Sequence, residues 1–296
     1  MSSRRRRWQP RASTTPRAAK RAVDLDRALH DFRGLVSGSE IDLGGAALAV
    51  ARIEYPDLVP AHSLTRLDEL AARSAAAKLG DRRRALERLR DFLFDEAGFR
   101  GNADDYYDPR NSCLNDVLDR QLGIPITLSV LIMEVGRRVG LEIQGIGLPG
   151  HFCVGARVGD ELVLLDPFGG GRRLERDEAE AIASRAVGRQ VELTDAHFVP
   201  ATKAQIVVRM LRNLQSIYAR REDWAKALAV IDRLLLVETD APMHVRDRGT
   251  VLVKLGELHR GASEWERYLT RYPQARDAAA FKEELRRVRQ TLAERN

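Results

Sequence analysis

An α+β fold is what this sequence predicts: a helical N-terminal part, a core made of one buried helix and an antiparallel sheet, and an α-helical C-terminus. Three observations carry the prediction. A strongly apolar run, Leu128 to Val139, is followed by three short β-type runs. Residues 38–98 and everything from Ala204 onward repeat their apolar residues at helical spacing. Within the C-terminal part, the pattern of small and large residues recurs after 34 residues.

The N-terminal helices come first. Asp42 can cap a run from Leu43 to Glu54 that stops before Pro56. Ser63 precedes Leu64, Leu67, Leu70 and Ala71 at helical spacing. Asp81 opens a third run with Leu86, Leu89, Phe92 and Leu93 on one side, and Gly98 suits a left-handed terminus. Residues 99–112 then form a long polar and aromatic loop, which inside a compact domain tends to be functional or packed on itself.

A short helix from Cys113 to Leu122 ends at Gly123, and Pro125 can start the main helix, because proline is tolerated in a first turn. The apolar residues Val130, Leu131, Met133, Val135 and Val139 cover much of its circumference, so it should be buried. Strands are expected over Glu142–Leu148, Phe152–Arg157 and Leu162–Leu165, with Gly159-Asp160 as the turn between the last two. In the C-terminal part, Ala227, Ile231 and Leu234 recur as Gly261, Trp265 and Tyr268, and Tyr218 as Leu252. Thirty-four residues is the tetratricopeptide period. The small residues let paired helices approach, and the bulky ones fill the gap. Two such units are too few to stand alone, so they should pack on the first domain, with residues 275–294 as a cap.

The chemistry-bearing motifs lie between Asn111 and Gly171. They are Gly123-Ile124-Pro125-Ile126-Thr127, Pro149-Gly150-His151-Phe152 and Asp166-Pro167-Phe168-Gly169-Gly170. Upstream stand Glu54-Tyr55-Pro56-Asp57-Leu58, Phe99-Arg100-Gly101-Asn102 and Tyr106-Tyr107-Asp108-Pro109-Arg110-Asn111-Ser112. Together these segments resemble the transglutaminase-like domain of the SirB-type bacterial proteins, a domain related to one in an F-box protein of animals. The resemblance covers roughly residues 35–295. It implies a papain/transglutaminase-like core, with a transglutaminase-like domain and its helical N-terminal portion over 22–200 and a tetratricopeptide-like region over 201–296. Residues 1–21 are basic, rich in Ser, Thr, Pro and Ala and hold almost no large apolar residue besides Trp8, so they should form a disordered tail.

His151 and Asp166, fifteen residues apart, can face each other across adjacent strands. A carboxylate that holds the imidazole tautomer lets the imidazole deprotonate a nucleophile. In active members of the superfamily the nucleophile is a Cys at the start of the core helix, where the helix dipole lowers its pKa. Here Pro125 stands near that place, and no Cys does. Ser129 and Thr127 are close by and carry hydroxyls. Cys113 precedes the helix, and Cys153 follows His151 on what should be the same strand face. Tyr106, Tyr107, Arg110, Asn111, Thr127 and Gly150 are candidates to line a cleft for substrate.

The whole chain carries a net charge of +6, but residues 1–21 alone hold eight basic side chains and no acid. The body is therefore near neutral, and a nucleic-acid role would rest on the tail alone. No apolar run approaches the length needed to span a bilayer. Two cysteines outside any CxxC arrangement suggest neither a metal site nor a disulfide framework, and no cofactor is expected. Two readings follow. One is a cytoplasmic interaction or regulatory module, a pseudoenzyme whose cleft and repeats bind a protein or peptide partner. The other is an acyl-transfer or amide-hydrolysing enzyme using His151, Asp166 and a Ser, Thr or Cys nucleophile.

Overall fold

The computed structural model describes residues 27–38 and 40–295; the expected disordered tail, 1–21, lies outside them. Helix α1 occupies residues 27–36. It is followed by α2 (Leu43–Ala51), α3 (Pro60–Ser74) and α4 (Arg82–Arg90), which runs into a π-helical turn, Asp91–Glu96. Asp81 caps α4 as expected, accepting the Arg84 N–H at 2.8 Å, and Gly98 closes the segment at φ +78°. Two details differ from the sequence reading. The Asp42 side chain accepts no helix amide. Helix α3 starts at Pro60 rather than Ser63, since proline supplies a pre-set first turn.

Helix α5 (Leu114–Arg120) ends on Gln121 at φ +55°, not on Gly123. Gly123 belongs instead to β2 (Leu122–Gly123), which pairs in parallel with β1 (Arg100–Gly101). Pro125 opens α6 (Pro125–Arg138), of whose fourteen residues eleven are buried. One of them is Glu134, 4% exposed, which Arg138 holds at 2.7 Å. The sheet follows in the order β3 (Ile143–Ile146), β4 (Cys153–Val158), β5 (Glu161–Asp166) and β6 (Arg172–Leu174), antiparallel throughout. Gly159, at φ +63°, makes the β4–β5 turn. Alternation along the strands divides two cores. Val154, Ala156, Val163 and Leu165 join α6 and the N-terminal helices, while Cys153 and Leu164 face α7 (Arg176–Val187). The sequence reading had placed neither β6 nor α7.

The C-terminal part is helical: α8 (Lys203–Arg220), α9 (Trp224–Val237), α10 (Pro242–Lys254), α11 (Leu258–Arg271) and α12 (Ala278–Glu294). The first pair does not stand apart. Ile206, Met210, Leu214, Val230 and Leu234 belong to the same apolar cluster as α6. At that junction Tyr218 Oη donates to Glu54 at 2.9 Å, and Lys226 Nζ pairs with the same carboxylate at 2.8 Å. The Glu54-Tyr55 motif thus ties the repeats to the first domain.

In the second pair, small residues sit where the helices meet. A Cβ on Gly261 would lie 2.6 Å from Val253 Cγ2, and one on Gly249 would collide with Trp265. Trp265 is 3% exposed, donates from Nε1 to the Arg246 carbonyl at 3.1 Å, and meets Phe281 edge-on. Trp265→Ala should therefore cost about 3–5 kcal/mol, as large-to-small core changes do. Denaturant unfolding should show the C-terminal helices melting first. A loss under about 1 kcal/mol would contradict this packing role.

Candidate functional site: a buried histidine–aspartate pair

The chain turns sharply after β3, and that turn delivers His151. Gly150 sits at φ +68°, and a Cβ there would lie 2.6 Å from Ala186 Cβ on α7. Only glycine both accepts the left-handed backbone and fits against that helix. The His151 N–H then donates to the Leu148 carbonyl at 3.2 Å. His151 therefore stands in the turn two residues before β4, not on a strand as the sequence reading had it, because β3 ends at Ile146.

Asp166 is the last residue of β5. Its Oδ1 lies 3.0 Å from His151 Nε2 and accepts the Phe168 N–H at 3.1 Å. Both side chains are buried, 8% and 4% exposed. Burial works against ionisation of Asp166. The hydrogen bond and charge of His151, the Gly169 amide and Arg172 outweigh it, so the carboxyl lies below its ordinary range. An ionised Asp166 makes Nε2 the donor, and in the neutral ring Nδ1 is then the free base. Phe168 meets the imidazole edge-on at 6.5 Å and Tyr106 at 5.9 Å; Tyr106 in turn meets Tyr107 at 5.3 Å. Both tyrosines are partly exposed, so an aromatic wall runs from the buried pair to the surface.

The remaining sequence candidates divide by burial. Tyr107 and Arg110 are at the surface, with Arg110 held by Asp108 at 2.8 Å and Tyr107 beneath the Arg220 guanidinium. Asn111 and Thr127 are fully buried. The Asn111 amide donates to the carbonyls of Asp105 (2.7 Å) and Tyr106 (3.3 Å) and accepts from Asn102, which pins the long loop on itself. Thr127 Oγ1 donates to the Asn111 carbonyl at 2.6 Å and accepts the Ile124 N–H, so its hydroxyl joins the loop to the first turn of α6.

Ser129 is fully buried, and its hydroxyl bonds no group among the described residues. Cys113 is buried with Sγ 3.5 Å from the Pro109 carbonyl, and burial, then nearby carboxylates, push its thiol well up. Cys153 is buried too; burial and then Asp166 push its thiol up to about 12. Among the described residues, no thiol or hydroxyl is hydrogen-bonded to the His151 ring, and no three His, Cys, Asp or Glu gather in a way that could hold a metal ion.

Sequence reasoning missed Arg209. It reaches from α8 and donates to the His151 carbonyl at 2.6 Å, across 58 positions. No local spacing signals such a contact, since it depends on how the repeats dock.

The depressed Asp166 pKa has a consequence for stability. A carboxyl whose folded pKa is lowered stabilises the fold above its unfolded pKa, and that stabilisation is lost as pH falls through the folded value. Asp166→Ala should cost about 1–3 kcal/mol near pH 7, because it leaves the buried His151 N–H and the half-buried Phe168 N–H unpaired. The gap to wild type should begin to narrow as pH falls below about 4, where the carboxyl of the unfolded chain takes up its proton, and keep narrowing until the folded carboxyl, held lower, is protonated as well. Urea melts at several pH values measure this; a gap that stays constant or widens toward pH 3 would contradict the pairing.

The transglutaminase-like superfamily model matches residues 61–212, and a tetratricopeptide-repeat model matches residues 214–286. A UPF0162 protein of Xylella fastidiosa is 37% identical over 243 residues, spanning 80% of this chain and 86% of the relative. A UPF0162 protein of Pseudomonas aeruginosa is 34% identical over 192 residues, 64% of this chain and 70% of the relative. F-box only protein 21 of Mus musculus is 32% identical over 143 residues, 46% of this chain and 22% of that protein. No solved structure matches significantly. The chain thus belongs to the transglutaminase-like superfamily, alongside the UPF0162 proteins, and carries a C-terminal tetratricopeptide-repeat region.

Proposed function

We propose that this protein is a non-catalytic or weakly catalytic interaction and regulatory module of the SirB-type branch. Its cleft beside His151 holds a peptide segment, and its repeat surface takes a protein partner. The observation that carries this reading is the site itself. A His–Asp pair is oriented as a base, while both thiols are buried with raised pKa values and no hydroxyl is bonded to the ring. Chemistry that needs a thiolate is disfavoured where burial keeps sulfur protonated. The geometry suits recognition instead. The aromatic wall of Tyr106, Tyr107 and Phe168 offers flat, partly exposed surface leading to the buried His151–Asp166 pair. Tetratricopeptide helices present a face suited to helices or extended peptides.

Cytoplasmic action is part of the proposal, and the two free thiols suit a reducing compartment. No helix among the described residues is long and apolar enough to cross a membrane. A second reading, an acyl-transferring or amide-hydrolysing enzyme, draws on the Nε2–Asp166 bond that leaves Nδ1 available. It needs Ser129, Thr127 or a cysteine to reach that nitrogen on substrate binding.

Affinity capture from the native cell tests the first reading. His151→Ala and Met243→Glu, the latter at an exposed apolar side chain early in α10, should each reduce recovery of the same partner at least several-fold. A partner recovered equally with wild type and both variants would contradict the module.

A further inference from the structure

A cavity of about 700 Å³ lies where α8 meets the turn between β3 and β4, the turn that carries His151. Phe152, His197, Gln205, Arg209, Arg212 and Glu238 are among the residues lining it. Arg209 uses Nη2 for the His151 carbonyl, and its guanidinium lies 5.2 Å from the Phe152 ring centroid. Its other N–H groups bond nothing among the described residues, and no carboxylate there is within ion-pair distance. Burial depresses its pKa, the expected sign for a cation that lacks a counter-ion.

The other charges in the cavity cancel. Glu238 accepts from Arg212 at 3.0 Å, and His244 Nε2 lies 2.7 Å from it. The remaining polar groups are left with donors. Gln205 Oε1 accepts the Thr202 N–H at 2.8 Å, which leaves the amide NH₂. His197 Nδ1 accepts the Thr194 N–H at 3.0 Å, which leaves a hydrogen on Nε2. One uncompensated positive charge surrounded by donors calls for an acceptor-only ligand of single negative charge. A guanidinium fork takes a carboxylate through two parallel hydrogen bonds. A phosphate near −2 would overcompensate the site.

We infer that this cavity receives a carboxylate of the bound peptide, an acidic side chain or a free chain terminus, seated on Arg209 with Gln205 and His197 donating beside it. The inference rests on the peptide reading above and names what that peptide must carry. Because the same guanidinium bonds the His151 carbonyl, a carboxylate there ties the peptide to the turn that carries His151.

Nuclear magnetic resonance titration of the full-length protein tests it with four probes. They are acetyl-Ala-Glu-Ala-amide, acetyl-Ala-Gln-Ala-amide, acetyl-Ala-Ala-Ala with a free carboxylate, and inorganic phosphate. At least one carboxylate peptide should saturably shift signals of Phe152, Gln205 and Arg209, binding about tenfold or more tighter than the Gln peptide, the scale of a charged hydrogen bond. Whichever carboxylate peptide binds tighter identifies the source. Arg209→Met should abolish that preference, Arg209→Lys should keep part of it, and Arg286→Met on α12 should leave it unchanged. Should Arg209→Met fail to fold, Arg209→Lys and Gln205→Ala give the same readout. Equal binding of the Glu, Gln and free-acid peptides, an unchanged preference in the Arg209 variants, or phosphate binding tighter than either carboxylate would each overturn the assignment. If the partner is still captured from cells as predicted above, only the carboxylate assignment falls.

Discussion

Helix α6 is buried around nearly its whole circumference, and the rest of the fold is arranged to keep it so. Helices α2 and α3 cover one side, the β3–β4 ribbon another, and α8 of the first repeat a third. Burying a side chain such as Leu128 or Ile132 contributes about 1.5–3 kcal/mol, so few faces of α6 can be left uncovered. This is why the first repeat pair shares the core of the domain before it. The Glu54 bonds to Tyr218 and Lys226 add a polar fastening to an apolar joint.

The same burial sets the chemistry. A helix start that is to carry a thiolate needs an open, electropositive surface. Here the first turn of α6 is closed by Asn111 and Thr127, which bond to one another through the loop carbonyl. Cys113 and Cys153 are drawn into apolar surroundings, where the protonated thiol is favoured. The His151–Asp166 pair keeps the orientation of a catalytic base, at the edge of the burial and beside an aromatic path to solvent.

Much of this was legible in the sequence. The apolar density of 128–139 marked α6, Gly159-Asp160 marked the β4–β5 turn, and the 34-residue recurrence placed Ala227, Gly261 and Trp265 at helix contacts. The fifteen-residue spacing brought His151 to Asp166, although through a turn and not across two strands. What escaped has a common cause. Beta strand β6 is three residues long and half-exposed, and α7 buries only Ala179 and Ala183, so neither has a strong periodic signal. For Asn111 and Thr127 the sequence left two outcomes open, a cleft lining or a loop packed on itself, and the bonds of Asn111 and Thr127 to that loop's carbonyls are the second. Arg209 reaches the site only because α8 docks against the core, a tertiary fact with no local spacing behind it.

The proposed reading rests on an oriented base, His151–Asp166, whose ring bonds no thiol or hydroxyl among the described residues. Native-state alkylation with iodoacetamide near pH 7.5, read by intact mass, tests it most directly. Cys113 and Cys153 should stay unmodified while the protein is folded and react fully once urea unfolds it. Rapid, stoichiometric labelling of one cysteine in the folded protein, abolished by His151→Ala, would show a thiolate activated by the imidazole and contradict the account.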